Sequence, residues 1–121
     1  MNNRFNFRMW DINTKRFYYM YLDELIGLTR TISIPKEATI QQYTGLNDSN
    51  DDPIYEGDIL KISYGTMGDV IGQVLYEADH GGYIFQWKRK GRGQDYKNLN
   101  CDVAFESVIV GNILENPELL K

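Results

Sequence analysis

Two carboxylates lie on either side of a glycine in the middle of the sequence, at Glu56, Gly57 and Asp58. Such a pair could act as a general acid and base or hold a divalent cation. A turn explains the same residues more simply, because glycine adopts positive φ at little cost and aspartate accepts hydrogen bonds from backbone N–H groups. Turns of this kind greatly outnumber catalytic pairs. An enzyme that uses Glu56 and Asp58 is therefore the least favoured function.

The other residues that could bind a metal or catalyse a reaction form no complete set. Asp48, Asn50 and Asp52 alternate as at the start of a calcium loop, but the glycine and glutamate that this loop needs at its sixth and twelfth positions are missing. His80 and Cys101 are each the single residue of their type, whereas a zinc site needs three or four N or S ligands. The sequence therefore predicts no catalytic residue, no metal site and no cofactor.

A short basic segment lies between two aromatic residues in the last third of the chain. A single-stranded nucleic-acid site uses cations for phosphates and rings for stacked bases. The residues that would do this here are Trp87, Lys88, Arg89, Lys90, Arg92 and Tyr96. However, 13 basic against 17 acidic residues give the whole chain a net charge of -4. The preferred interpretation is a solvated hairpin loop whose charges keep a sheet edge from pairing with neighbours, and nucleic-acid binding is the alternative.

The composition is that of one ordinary soluble domain. Of 121 residues, 42% are apolar and 25% charged, and this length suffices for one core but not for two. We therefore expect a single domain over residues 1–121. No apolar run approaches the roughly 18 residues of a membrane span, and the N-terminus lacks the apolar stretch of a secretory signal. These features predict a cytoplasmic protein that has no membrane contact.

Strict alternation of side chains near the N-terminus predicts a β-hairpin. Residues 4–10 place two Phe and one Met on one face, and Arg, Asn and Trp on the other. Turn formers fill 11–15, and residues 16–21 return as the second strand. Residues 22–36 fit either a helical turn or a strand. A further short strand is predicted over 38–43.

From residue 54 onward, short strands alternate with glycine-containing turns. Intervals of about 8 to 12 residues favour a small barrel or strongly bent sheet over alternating βαβ units. The polar loop 44–53 is expected to contribute nothing to a core. Asn116-Pro117-Glu118 is typical of a helix start. The predicted strands are 59–64, 70–76, 83–88 and 107–110.

Four sequence blocks together resemble the YopX family of phage and prophage proteins. The blocks are Phe7-Arg8-Met9-Trp10-Asp11, Gln42-Tyr43-Thr44-Gly45-Leu46-Asn47-Asp48, Ile54-Tyr55-Glu56-Gly57-Asp58-Ile59, and Val110-Gly111-Asn112-Ile113 with Glu115-Asn116-Pro117-Glu118-Leu119-Leu120. Residues 49–53 depart from the Lys-Asn-Gly type turn that usually precedes the Tyr-Glu-Gly-Asp block. The motif residues that we expect to be structural are Trp10, Tyr43, Gly45, Tyr55, Glu56, Gly57, Asp58, Gly111 and Asn112.

The resemblance implies a mainly β protein that has no established biochemical activity. It implies an SH3-like small barrel over about 46–121, an N-terminal β-hairpin extension over about 1–45, and an origin in bacteriophages or integrated elements. Nine tyrosines on a short chain indicate an interface, since the tyrosine ring packs while its hydroxyl stays satisfied. We therefore expect a non-enzymatic binding or assembly module whose partner is a protein, with a second copy of the chain as one candidate.

Overall fold

The computed structural model describes residues 6–20, 38–89 and 93–121 of the chain. Antiparallel strands make up most of these residues, so the predicted mainly β fold class is confirmed. The strands are β1 (Phe7–Asp11), β2 (Arg16–Met20), β3 (Thr39–Asn47), β4 (Pro53–Tyr55), β5 (Asp58–Ser63), β6 (Asp69–Glu77), β7 (Gly82–Arg89), β8 (Gly93–Asn98) and β9 (Ser107–Asn112).

The first sheet has four strands in the order β2-β1-β3-β4. Strands β1 and β2 pair along their full lengths, and the N–H of Asn13 donates to Asp11 Oδ1 at 2.9 Å within the turn. The predicted hairpin is thus confirmed. The buried face of β1 carries Arg8 and Trp10, so this strand buries a charged side chain that must find a partner.

The second sheet has five strands in the order β8-β7-β6-β5-β9 and curls into a half-barrel. Strands β5 to β8 follow one another as a meander, and β9 returns to pair with β5. Residues 93–98, which the sequence pattern left without a secondary structure, form β8 because they continue the antiparallel ladder of β7.

The main core cluster joins both sheets to the short helix α1 (Cys101–Phe105). Its residues alternate along the strands, as the two-residue period of a half-buried strand requires. Full burial of each large aliphatic side chain contributes about 1.5–3 kcal/mol. The cluster consists of Ile54 in β4, Leu60 and Ile62 in β5, Val74 in β6, Phe85 in β7 and Ala104 in α1, each at most 1% exposed.

The prediction that residues 44–53 contribute nothing to the core is wrong. Strand β3 extends to Asn47, and Leu46 packs against the core cluster. Asp48 is also buried, at 5% exposed, because backbone amides surround its carboxylate. The ambiguous segment 22–36 lies outside the described residues.

Helical structure in the described part of the chain is short. Helix α1 begins after Asn100, whose Oδ1 accepts the N–H of Val103 at 2.9 Å. Asn116 precedes the 3₁₀ turn Pro117–Leu120, so the predicted helix start becomes a single 3₁₀ turn. None of the described helices is long and apolar enough to cross a bilayer.

Candidate functional site: the groove between the two sheets

A buried ion pair joins the first sheet to the second. Arg8 Nη2 in β1 lies 2.7 Å from Asp58 Oδ1 in β5, and the two side chains are 6% and 3% exposed. A buried charge is costly unless it is paired and hydrogen-bonded, and here each charge satisfies the other. The pair therefore fixes the position of the N-terminal hairpin relative to the five-stranded sheet.

Gln41 and Gly57 complete the surroundings of this pair. Arg8 Nε donates to Gln41 Oε1 at 2.8 Å, and Gln41 in β3 is itself buried. Gly57 has φ +88°, and a Cβ added there would lie 2.2 Å from Gln41 Nε2. The predicted positive φ is confirmed. The position requires glycine for a second reason as well, because the buried amide of Gln41 occupies the space of a side chain.

The carboxylates of Glu56 and Asp58 both accept hydrogen bonds from backbone N–H groups. Asp58 Oδ2 accepts the N–H of Tyr55 at 2.8 Å, as predicted for a turn aspartate, and Glu56 Oε1 accepts the N–H of Gln42 at 3.4 Å. Burial raises the pKa of Asp58 above its ordinary value, while Arg8 and the Tyr55 N–H act in the opposite direction. Asp58 thus holds the turn between β4 and β5, and Glu56 connects this turn to β3.

Aromatic rings enclose the guanidinium of Arg8. Its Cζ atom lies 4.2 Å from the ring centroid of Phe17 and 4.7 Å from that of Tyr55. The Tyr19 ring packs edge-on against Tyr55 at 5.7 Å, and Trp10 packs against Phe17 at 4.8 Å. Cation–π attraction is strongest where water is excluded, so these rings stabilise the cation and are themselves held in place.

An open groove of about 500 Å³ lies where the hairpin meets the second sheet, and its lining includes Arg8, Phe17, Tyr19 and Tyr55. Arg8 and Asp58 lie against aromatic and apolar side chains from β2, β4 and β9. Four of the predicted motif residues, Tyr55, Asp58, Gly111 and Asn112, line this groove together. The remaining residues of its lining are Arg8, Phe17, Tyr19, Asp52, Pro53, Ile109, Glu115 and Asn116.

One wall of the groove is a turn stabilised by asparagine side chains. Asn112 Oδ1 accepts the N–H groups of Leu114 and Glu115, at 3.0 and 2.9 Å. A Cβ added to Gly111 would lie 2.6 Å from Asn116 Oδ1, so this position also has no room for a side chain. Gly111 and Asn112 thus lie in a closely packed turn.

Two further motif residues, Tyr43 and Gly45, line a second cavity. Tyr43 is buried, and its ring centroid is 5.7 Å from that of Tyr55. Gly45 has φ +89° and lies in the long strand β3. Burial and the charge of Asp51 both raise the pKa of Tyr43.

Residues of the predicted basic segment lie on both faces of the sheet. Trp87 stacks on Phe85 with ring centroids 5.4 Å apart and packs against the core cluster. Tyr96 pairs with Gln86, and since neighbouring residues alternate between faces, its side chain lies on the face opposite to that of Trp87. The two rings therefore do not form one stacking platform.

The cations of this segment lie at the end of the β7–β8 hairpin. Lys88 and Arg89 are exposed, and Arg89 Nη1 is 3.2 Å from Asp95 Oδ2. Lys90 and Arg92 lie outside the described residues. Among the described cations, Arg89 is therefore already paired with a carboxylate of the next strand, β8.

Sequence reasoning missed four residues of the site. Arg8 and Gln41 are polar residues on strands, and only tertiary contacts show that they are buried together. Phe17 and Tyr19 belong to a hairpin strand, and its sequence does not show which residues these aromatic rings contact. The available signal was the alternation in β1, which places Arg8 on the same face as Trp10.

A family model described as YopX protein matches residues 11–121. The chain belongs to the YopX family. The matched range includes β2 to β9 and hence Asp58, Gly111 and most of the groove, whereas Arg8 lies just before its first residue. A comparison with curated protein sequences gives no match.

The fold of this YopX protein is shared with a solved structure. Protein EF1440 from Enterococcus faecalis, known from a crystal structure, superposes with a TM-score of 0.54 at 19% sequence identity. The match covers 96% of this chain and 97% of the other. At this identity the similarity shows the fold alone.

Proposed function

We propose that this YopX protein is a non-enzymatic binding module that acts through protein–protein contacts, and that its groove holds an extended segment of a partner protein. The observation that carries the proposal is the aromatic wall formed by Phe17, Tyr19 and Tyr55 over a paired and buried arginine. We place the protein in the cytoplasm of a bacterial host, as a phage or prophage product. In this proposal the Glu56 and Asp58 carboxylates have a structural role.

Preorganisation of the groove supports this proposal. Tyr55 is held by Arg8, Tyr19 and Tyr43, so it has little freedom left to lose on binding. Tyr19 is 54% exposed and Pro53 is exposed as well, which leaves apolar area that a partner could cover. Rigid aromatic side chains give large contact area at low entropic cost, and they dominate binding energy at interfaces.

The charges that line the groove indicate which residues a bound segment would carry. The groove is lined by one cation and three carboxylates, and Arg8 is already neutralised by Asp58. Asp52 and Glu115, both exposed, leave the groove with negative potential. We therefore infer that the bound segment carries a lysine or arginine next to an apolar residue, because opposite potentials favour and orient the encounter.

Strand connectivity supports the SH3-like barrel that we propose for the second sheet. The meander β5 to β8 is followed by α1, and β9 then returns to pair with β5. A meander of four strands, one short helix and a fifth strand beside the first is the connectivity that an SH3-like barrel needs. The groove lies at the junction of this unit with the N-terminal hairpin.

Selection from a display library of random peptides tests the proposal. The wild-type protein is the bait, and Tyr19→Ala removes the exposed ring of the groove. The matched control is Tyr76→Ala, since Tyr76 is equally exposed, at 54%, but lies outside the groove. We expect peptides enriched in basic residues that bind the Tyr76→Ala protein and not the Tyr19→Ala protein. Recovery of no peptide, or of peptides that bind both variants alike, would contradict the proposal.

Nucleic-acid binding by the β7–β8 hairpin is the second candidate function. It is supported by the exposed Lys88 and Arg89, while the separation of Trp87 and Tyr96 on opposite faces weakens it. Its test is binding to a labelled single strand at several salt concentrations, with Lys88, Arg89, Lys90 and Arg92 all replaced by alanine. Affinity that is unchanged by these replacements would remove this candidate.

A further inference from the structure

The two edges of the five-stranded sheet differ in how they are covered. At the β9 edge, the N–H of Ile109 donates to Asp48 Oδ2 at 3.0 Å, and the N–H of Ser49 donates to the carbonyl of Ser107 at 2.8 Å. At the β8 edge, no strand in the described part of the chain pairs with the outer side. A strand edge with unpaired N–H and C=O groups is a template for another strand.

The sequence of β8 is complementary to itself in the antiparallel direction. If two β8 strands pair about a two-fold axis at Tyr96, Asp95 lies opposite the partner's Lys97, and Lys97 lies opposite the partner's Asp95. The same register places Gln94 opposite the partner's Asn98, and the two Tyr96 rings meet at the axis. Opposite charges and paired aromatic rings directly across an antiparallel ladder are stabilising.

We propose that this chain forms a homodimer through antiparallel pairing of its β8 strands, centred on Tyr96. The pairing is isologous, so one patch serves both copies and the assembly closes at two. It joins the two five-stranded sheets into one continuous sheet. Strand β8 contributes no residue to the groove lining, so this surface is independent of the proposed peptide site.

The side chains of β8 lie at the surface, and two of them also contact rings of their own chain. The Tyr96 ring centroid lies 4.8 Å from that of His80, and Lys97 Nζ lies 4.8 Å from the ring centroid of Tyr64. Tyr96 is 49% exposed, and Gln94, Lys97 and Asn98 are exposed as well. The Asp95 side chain is 41% exposed, and its pair with Arg89 is one that water competes with effectively. This edge carries one charge of each sign on either side of its central residue, so each charge faces an opposite charge of the partner in the register centred on Tyr96.

Charge reversal tests the register directly. Asp95→Lys makes both flanking charges of β8 positive, and Lys97→Asp makes both negative, so each variant alone should be monomeric. An equimolar mixture of the two variants should restore a dimer, because each Lys then faces an Asp of the partner. The double variant Asp95→Lys/Lys97→Asp should also be dimeric. The measurement is the mass in solution by light scattering after size exclusion, at increasing protein concentration.

A matched control separates the dimer contact from the fold. Arg89→Gln breaks the Arg89–Asp95 pair within one chain but leaves the β8 register unchanged, so this protein should stay dimeric. Three results would each overturn the proposal: a wild-type protein that is monomeric at every concentration, single variants that remain dimers, or a mixture that does not associate. Restoration in the mixture cannot come from misfolding, since it requires two folded chains.

Discussion

The Arg8–Asp58 pair is the residue-scale feature on which the groove depends. Both side chains are almost fully buried, so the loss of one leaves the other as an uncompensated charge. We expect Asp58→Ala to lower the free energy of unfolding by about 3–5 kcal/mol. Urea denaturation followed by fluorescence measures this. Glu56→Ala is the control and should cost less than about 1 kcal/mol, because its carboxylate makes one long hydrogen bond.

Gly57 combines a conformational requirement with a steric one. Gly57→Ala places a methyl group at φ +88° and at the buried amide of Gln41, so we expect a loss larger than the roughly 1–3 kcal/mol of backbone strain alone. Gly81→Ala is the matched control, since Gly81 has φ +70° but no atom within 4 Å of an added Cβ. Urea denaturation measures the loss of unfolding free energy in each variant. Equal losses would show that the clash with Gln41 contributes nothing to the destabilisation by Gly57→Ala.

Tyr83 gives a prediction about pH. Burial, followed by the charges of Glu56 and Tyr76, raises the pKa of Tyr83 to about 12. The unfolded chain releases this proton near its ordinary pKa of about 10, so the unfolded state binds fewer protons between these values and stability falls as the pH rises through this window. Below that window the contribution of Tyr83 does not change with pH.

Denaturation of the wild-type protein and of Tyr83→Phe at about pH 9 and about pH 11 measures this effect. The phenylalanine variant should lose less stability between the two conditions than the wild type loses. Tyr18→Phe, which alters an exposed tyrosine, should behave as the wild type does. Equal losses of stability between the two pH values in all three proteins would contradict the assignment of this pH effect to Tyr83.

At the scale of elements, the loop 48–52 covers the β9 edge through the Asp48 carboxylate and the N–H of Ser49. Asp48 accepts the N–H groups of Asn50 and Asp52 on Oδ1 and that of Ile109 on Oδ2. Asp48→Ala should cost roughly 2–4 kcal/mol, since three backbone donors lose a charged acceptor. Asp52→Ala removes an exposed carboxylate in the same loop and should change the free energy of unfolding by no more than about 0.5 kcal/mol. Thermal unfolding of the two variants compares them, and similar losses would refute this role of Asp48.

The strands of the second half could be predicted because their signal is local. Alternation and glycine-containing turns over 59–64, 70–76 and 83–88 correspond to β5, β6 and β7. The role of Asp48 could not be predicted, because a polar loop and a buried carboxylate ringed by amides have the same local sequence. Strand β8 was missed for a related reason: its polar residues form a strand through pairing with β7, and composition alone does not reveal that pairing.

The motif residues of the site could be predicted from the sequence, but their contacts with residues of distant strands could not. Tyr55, Asp58, Gly111 and Asn112 were identified from sequence blocks, and the structure brings them to one groove. Arg8 comes from a strand 50 residues away from Asp58 in sequence, and no periodicity within one segment connects the two. Long-range pairing of this kind is set by the fold as a whole.

At the scale of the whole molecule, the proposed module has two separate surfaces. The groove lies between the hairpin and the second sheet, whereas the β8 edge lies at the end of the five-stranded sheet. A homodimer would present two grooves to one partner, and such bivalency raises apparent affinity without any new contact. We expect monomeric Lys97→Asp to bind a selected peptide as tightly as the wild type, as judged by titration calorimetry. A weaker intrinsic affinity would contradict the independence of the two surfaces.

The central claim is that the aromatic groove is the binding surface. The most direct measurement is the affinity of one selected basic peptide for the wild type, Tyr19→Ala and the equally exposed control Tyr76→Ala. The account predicts a loss of at least about tenfold for Tyr19→Ala, which corresponds to roughly 1.4 kcal/mol, and no change for Tyr76→Ala. Equal affinities for all three proteins, or a loss confined to Tyr76→Ala, would contradict it.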